Sequence, residues 1–163
     1  MSPATIAAVR AAQRYFEDVT SGEDIPTVSF PITVYRLVME AGANRDFNSI
    51  HHNTEYARST GAPDMYANTL FLLGMWERAV REWIGCGGTI RAIRGFRMVR
   101  FNVVGDTTRV VGRVLSTRRE GDVGVVVLEV RSENSQDVTV GPGQVEVTLP
   151  LRPEGGIPTS SAT

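Results

Sequence analysis

The run Asp46-Phe47-Asn48-Ser49-Ile50-His51 contains the pair of side chains best suited to proton transfer. A carboxylate and an imidazole at this spacing can converge on one water if the backbone between them turns irregularly, which neither a straight helix nor a strand does readily. Histidine titrates near neutrality, and a carboxylate beside it either holds its tautomer or acts as the base. The pair could add water to an activated double bond, one group taking a proton from water and the other protonating carbon. Taken alone the pair is weak evidence, because Asp and His in a loop are more often turn and surface residues. His52 offers a second imidazole directly after the first.

The segments around this run must position it. Phe30 to Val34 reads as a short β-like stretch, Arg36 to Ala43 as a brief helix weakened by Gly42, and Asn44 to Asn53 as an irregular polar stretch. The strongest single element lies between Asn68 and Ile84, where Leu73, Trp76, Val80 and Trp83 recur at helical spacing on one face. Asn68 or Thr69 can cap its start and Gly85 can end it, leaving unpaired backbone N–H groups that suit an oxyanion or carbonyl. Gly74 costs helix stability, and a close approach of the sheet is the expected reason. Four strand-like runs follow, Thr89 to Phe101, Thr108 to Thr117, Val123 to Arg131 and Val138 to Leu149, divided by turn signals such as Gly105-Asp106 and Gly121-Asp122. Val145, Val147 and Leu149 alternate with polar residues as in a half-buried antiparallel strand, while Val125 to Leu128 is continuously apolar and reads as more central. One long amphipathic helix before an antiparallel meander predicts an α+β fold in which the sheet wraps the helix.

Composition narrows the function. The 163 residues suit one domain, expected over 15–151, with residues 1–14 as an Ala-rich extension that could form a short helix and 152–163 as a loose tail. Lys+Arg 17 against Asp+Glu 18 proposes neither nucleic acid nor an anionic membrane as partner, so a small molecule is expected. Cys86 stands alone in Gly85-Cys86-Gly87-Gly88, which excludes an internal disulfide and reads as a turn. Neither a signal peptide nor a membrane-length apolar run is evident, and a cytoplasmic setting is expected. No metal site is expected. Arg91, Arg94, Arg97 and Arg100 lie within one strand-like run and could meet phosphate, but their spacing divides them between two faces; ordinary solvated charge is an equal reading.

The Asp46 to His51 run resembles the signature of MaoC-like and (R)-specific enoyl-CoA hydratases, Asp-x-Asn-Pro-aliphatic-His, with Ser49 where that family usually has Pro. The resemblance continues in Phe16-Glu17-Asp18-Val19, Gly22-Glu23, Ala41-Gly42-Ala43, Glu55-Tyr56-Ala57 and Gly105-Asp106-Thr107, and so covers roughly residues 15–150 in consistent order. It implies a hot-dog fold and reversible addition of water to a trans-2-enoyl coenzyme A thioester, with the thioester as substrate and no further cofactor. It also implies Asp46 and His51 as the catalytic pair and Asn48 as a brace of the loop. His52 falls beside the site, and Asn68-Thr69 replaces the His-Gly pair with which many members approach the thioester carbonyl. Asn48, His52, Asn68 and Thr69 are therefore the expected substrate-side residues. Arg45-Asp46-Phe47, Ile50-His51-His52 and Ala67-Asn68 are especially similar to the small catalytic subunit of actinobacterial steroid side-chain hydratases, which implies a bulky acyl group. Family sites usually form where two such units meet, so a homodimer or a hetero-oligomer with a related chain is expected. A hot-dog thioesterase and an acyl-binding subunit of a hetero-oligomeric dehydratase are the alternative readings.

Overall fold

The structure is a computed structural model that describes residues 13–153. The expected helix within residues 1–14 and most of the expected tail, 154–163, lie outside the described residues.

Five antiparallel strands form one sheet in the order β1-β3-β4-β5-β2. They are β1 (Asp24–Pro31), β2 (Thr89–Arg94), β3 (Thr107–Glu120), β4 (Val123–Glu133) and β5 (Val138–Pro150). The run of β-branched residues in β4 makes it the middle strand, with Val125, Val126, Leu128 and Val130 all at 0% exposure. Gly121, at φ 58°, and Asp122 close the hairpin between Glu120 and Val123, where a left-handed residue matches the twist of the strands. Val145, Val147 and Leu149 of β5 are buried, as their alternation predicts.

Three helices accompany the sheet: α1 (Val34–Ala43), α2 (Thr54–Ser59) and α3 (Thr69–Ile84). Asn68 caps α3 by accepting a hydrogen bond from Phe71 N at 2.9 Å, and Gly85 ends it at φ 71°. The α3 face that joins the core is Leu72, Met75, Trp76, Ala79, Val80 and Trp83, and Trp76 Nε1 donates to Ser132 Oγ of β4 at 2.8 Å, so that its buried N–H is satisfied. The α+β expectation therefore holds in the sheet and in the long helix.

Several details differ from expectation. Strand β1 begins at Asp24, well before Phe30, because Pro26 lies within an edge strand at a register shift between Ile25 and Val28; proline obscures a strand yet is tolerated there. Leu73 is only half-buried, and Leu72 takes its place in the core. Gly74 is exposed, and a Cβ built on it would meet nothing within 4 Å, so it serves no close approach of the sheet. The run from Thr89 to Phe101 is not one strand: β2 stops at Arg94, before Gly95 at φ 69°. Arg97 and Arg100 accordingly lie outside β2, Arg91 pairs with Glu120 at 2.7 Å and Arg100 with Asp137 at 3.1 Å. Arg94 and Arg97 are exposed and make no ion pair among the described residues.

Contacts also run past the expected domain limits. Gln13 Nε2 donates to Ile84 O at 3.0 Å and Gln13 Oε1 accepts from Gly87 N at 2.5 Å, while Arg14 pairs with Glu23. At the other end Arg152 N donates to Glu17 Oε2 at 2.9 Å, and its guanidinium pairs with Asp18.

Candidate active site

The polar loop is built outward from the end of α1. Thr33 caps this helix, and its apolar stripe turns Leu37, Glu40 and Ala41 inward, so that a carboxyl occupies a buried position. The chain then reverses at Arg45, the single non-glycine residue with positive φ among the described residues, at 56°. Asp46 N donates back to Ala41 O at 2.9 Å, tying the aspartate to the helix end. Asn48 Oδ1 accepts from Ile50 N at 3.2 Å and opens a single 3-10 turn, Ser49–His51, which swings His51 inward. Asn53 then caps α2 through Tyr56 N at 2.9 Å. Two side-chain caps thus enforce the irregular backbone that brings Asp46 and His51 together.

His51 is 4% exposed and its Nδ1 lies 2.7 Å from Tyr66 O. A carbonyl oxygen only accepts, so this contact assigns a proton to Nδ1 and directs Nε2 toward Asp46 Oδ2, 3.1 Å away. A lone pair facing a carboxylate oxygen at that distance is satisfied when the two groups hold a proton between them. The same Oδ2 accepts from Asn68 Nδ2 at 3.0 Å. Asn68 is itself 5% exposed and locked by its cap on α3, so a rigid helix end aims the aspartate. The Tyr66 ring packs edge-on against His51 at 5.4 Å, and burial together with the Asp46 charge raises its phenol above the ordinary value. Glu40 completes the cluster: burial pushes its carboxyl up from the ordinary value of 4.5, Asn68 and the His51 charge oppose the rise, and the Asp46 charge adds to it.

Beside this cluster α1 and α3 bound a cleft of about 400 Å³ with an apolar wall that includes Phe30, Met39, Phe71 and Met75, and with Glu40, Arg36 and Arg78 also lining it. No hydrogen-bond partner is found among the described residues for the backbone N–H of Thr69 or Leu70, at the start of α3 next to Asn68.

No family model matches the chain. Among solved structures it is similar to R-hydratase PhaJ1 from Pseudomonas aeruginosa, at TM-score 0.75 and 19% identity over 91% of this chain and 96% of that one. A MaoC-like dehydratase from Rhodospirillum rubrum matches at TM-score 0.74 and 18% identity, over 86% of this chain and 99% of that one. The chain has the hot-dog fold of the MaoC-like dehydratases. A chain of the ChsH1-ChsH2 complex from Mycobacterium tuberculosis shares this hot-dog fold at TM-score 0.70 and 26% identity, covering 82% of this chain and 99% of that one. In sequence, 62 residues are 36% identical to the 3-oxo-4,17-pregnadiene-20-carboxyl-CoA hydratase beta subunit of M. tuberculosis; the match takes in 38% of this chain and 47% of that protein.

Of the residues singled out from sequence, this hot-dog chain brings Asp46, His51 and Asn68 into direct contact. The Asn48 side chain is spent within its own loop, as a brace would be. His52 is exposed, and its Nε2 approaches Phe47 O at 3.4 Å instead of joining the pair. Thr69 is exposed at the first position of α3 and places its backbone, more than its side chain, near the pair. Glu40 and Tyr66 were not singled out. A charged residue on the apolar stripe of α1 was a readable signal for Glu40; nothing local marks the carbonyl of Tyr66. Among the described residues no cluster of His, Cys, Asp or Glu could hold a metal ion, and no helix is long and apolar enough to cross a membrane.

Proposed function

We propose that the chain is an enoyl-CoA hydratase that adds water reversibly to a trans-2-enoyl thioester, with Asp46 and His51 acting together on one water. The observation that carries this reading is the 3.1 Å contact between Asp46 Oδ2 and His51 Nε2, with the opposite imidazole nitrogen anchored on Tyr66 O. A water held against the two groups, beside their direct contact, loses a proton to the Asp46 carboxylate as its oxygen bonds to C3 of the substrate. The double-bond electrons move toward the thioester oxygen, where the free N–H groups of Thr69 and Leu70 are suited to receive the charge. His51 Nε2 then delivers its proton to C2, and the proton on Asp46 passes across the short contact to restore the imidazolium. Asn68 keeps Asp46 from turning away during the cycle.

The cleft between α1 and α3 is the candidate acyl pocket. Its aromatic and methionine walls suit a long or bulky group, whose binding energy can offset a thioester carbonyl held without the usual glycine. The likeness to a subunit of a steroid side-chain hydratase supports a ring-bearing acyl group. Arg94 and Arg97, free of ion pairs among the described residues, are candidate contacts for coenzyme A phosphates. Edge strands β1 and β2 leave unpaired backbone, and the likeness to a chain of a two-component complex supports assembly with itself or with a related hot-dog chain. The absence of a membrane-length helix among the described residues agrees with action on a water-borne thioester.

The test is incubation of the purified protein, alone and with a related hot-dog chain, with crotonyl-, octenoyl- and steroid-sized trans-2-enoyl-CoAs. Loss of enoyl absorbance without release of free thiol is expected, with kcat/KM highest for the larger acyl groups. Thiol release instead would assign a thioesterase. Equal efficiency on crotonyl-CoA would remove the argument for a bulky substrate.

A further inference from the structure

The carbonyl that fixes the His51 tautomer is presented by a short ladder outside the main sheet. Ala67 N donates to Asn102 O at 2.9 Å and Val104 N donates to Met65 O at 2.9 Å, so Tyr66 and Val103 face each other as an antiparallel bridge. Residues that face each other between two such bonds turn their own N–H and C=O outward. The Tyr66 carbonyl therefore looks away from Val103, and His51 Nδ1 meets it there at 2.7 Å. A slip of one residue would turn that carbonyl inward and take it from the imidazole. Beside the bridge Thr108 of β3 donates its hydroxyl to Asn102 Oδ1 at 2.9 Å, with the two residues sealed from water at 0% and 1% exposure. Thr108 is itself paired to Phe30 of β1, so Asn102 is tied to the main sheet. The Asn102 Nδ2 group has no hydrogen-bond partner among the described residues. A buried polar pair with a donor left over stabilises a fold no better than apolar side chains of similar shape, so stability alone does not account for it.

We propose that Asn102 and Thr108 are positioning residues of this site, holding the bridge between Tyr66 and Val103 in the register that points Tyr66 O at His51 Nδ1. The kinetic consequence rests on the hydratase reading, whereas the link to the imidazole stands whatever the reaction. Neither side chain touches a reacting atom. Asn102 grips the bridge with its backbone oxygen and β3 with its side chain, so the sheet sets which nitrogen of His51 keeps its proton.

The test combines Asn102→Ala with Thr108→Val, which removes every polar side-chain atom of the pair and leaves none unsatisfied. This double variant is expected to melt within about 5 °C of wild type, to lose about tenfold in kcat and to change KM less than about threefold. Thr108→Ser keeps the hydroxyl donor and should stay within about threefold of wild type in kcat. Imidazole 15N NMR in alkaline solution, where the ring is neutral, supplies a readout that a purely structural role would not move. Wild type and Thr108→Ser should carry the His51 proton on Nδ1, and the double variant should show a mixture of the two tautomers. In a His51→Gln background the same pair of substitutions should lower kcat less than about twofold, since no imidazole remains to be oriented. An unchanged tautomer or an undiminished kcat in the double variant of an active enzyme would overturn the proposal. So would an equal loss of kcat with and without His51, or a double variant that does not fold, which would assign the pair to stability. A wild-type protein inactive on every enoyl thioester yet showing the expected NMR pattern would refute the hydratase reading and leave the positioning role standing.

Discussion

The loop from Asn44 to Asn53 and the central strand β4 solve opposite problems. Strand β4 pairs on both sides along its length, and its inward side chains are sealed from water by α3 and the neighbouring strands. The loop exposes Phe47 and His52, bends through a left-handed arginine and depends on side-chain caps from Asn48 and Asn53. Stability is concentrated in the strand, and polar groups brought close at some cost are concentrated in the loop. A proton-transferring pair fits the second setting: His51 is withdrawn from water with a fixed partner at each ring nitrogen, and holding polar groups in that way tunes their reactivity at a cost in stability.

The largest separation of the two regions should come from Leu128→Ala in β4. It leaves a cavity at a position with 0% exposure and is expected to cost about 2–5 kcal/mol in urea denaturation, with the activity of the remaining folded protein little changed. Asp46→Asn and His51→Ala should do the reverse, lowering hydration roughly a hundredfold, or about 2.7 kcal/mol of transition-state stabilisation, with an intact circular dichroism spectrum. His52→Ala is the internal control and should stay within about threefold of wild type. Near-full activity in either of the first two variants would dissolve the assignment of the pair.

Glu40 sharpens the comparison through pH. Its carboxyl titrates higher in the folded chain than its ordinary value of 4.5, so the folded state holds that proton more tightly than the unfolded one. The cost of ionising Glu40 in the folded chain is therefore absent in acid and grows as pH rises from the ordinary value through the raised folded one. Glu40→Gln should differ from wild type by a constant amount in acid, below the ordinary value of 4.5, and gain on it as pH rises above that value, levelling off above the raised folded one. A constant difference across that range would show that Glu40 does not titrate differently on folding. The smallest effect is expected at Arg45, where a side chain in the left-handed region is strained: Arg45→Gly should raise stability by about 1 kcal/mol by thermal denaturation.

Much of the fold was legible because its signals are local. The cap at Asn68, the three-and-four spacing through Trp76, Val80 and Trp83, and the alternation of Val145, Val147 and Leu149 each act over a few neighbouring residues, and a single chain displays them directly. The spacing of Asp46 and His51 permitted the pair without selecting it; the resemblance of the surrounding run to the MaoC-like signature singled it out. The local reading failed where one residue served a nonlocal end: Pro26 hid an edge strand, Gly95 cut the Thr89 to Phe101 run short, and Gly74 opens a cleft instead of admitting a sheet.

The sequence by itself determined the long helix, the antiparallel meander and the two residue types that meet in the loop, since propensity, capping and periodicity are properties of adjacent positions. Tertiary structure alone decided which proton His51 keeps, through a carbonyl 15 positions away, and what aims Asp46, through an amide 22 positions away. It also decided that Glu40 is buried behind them. Such contacts have no period and no local propensity; they come into being only when α1, α3 and the loop pack together, and packing is a property of the whole chain.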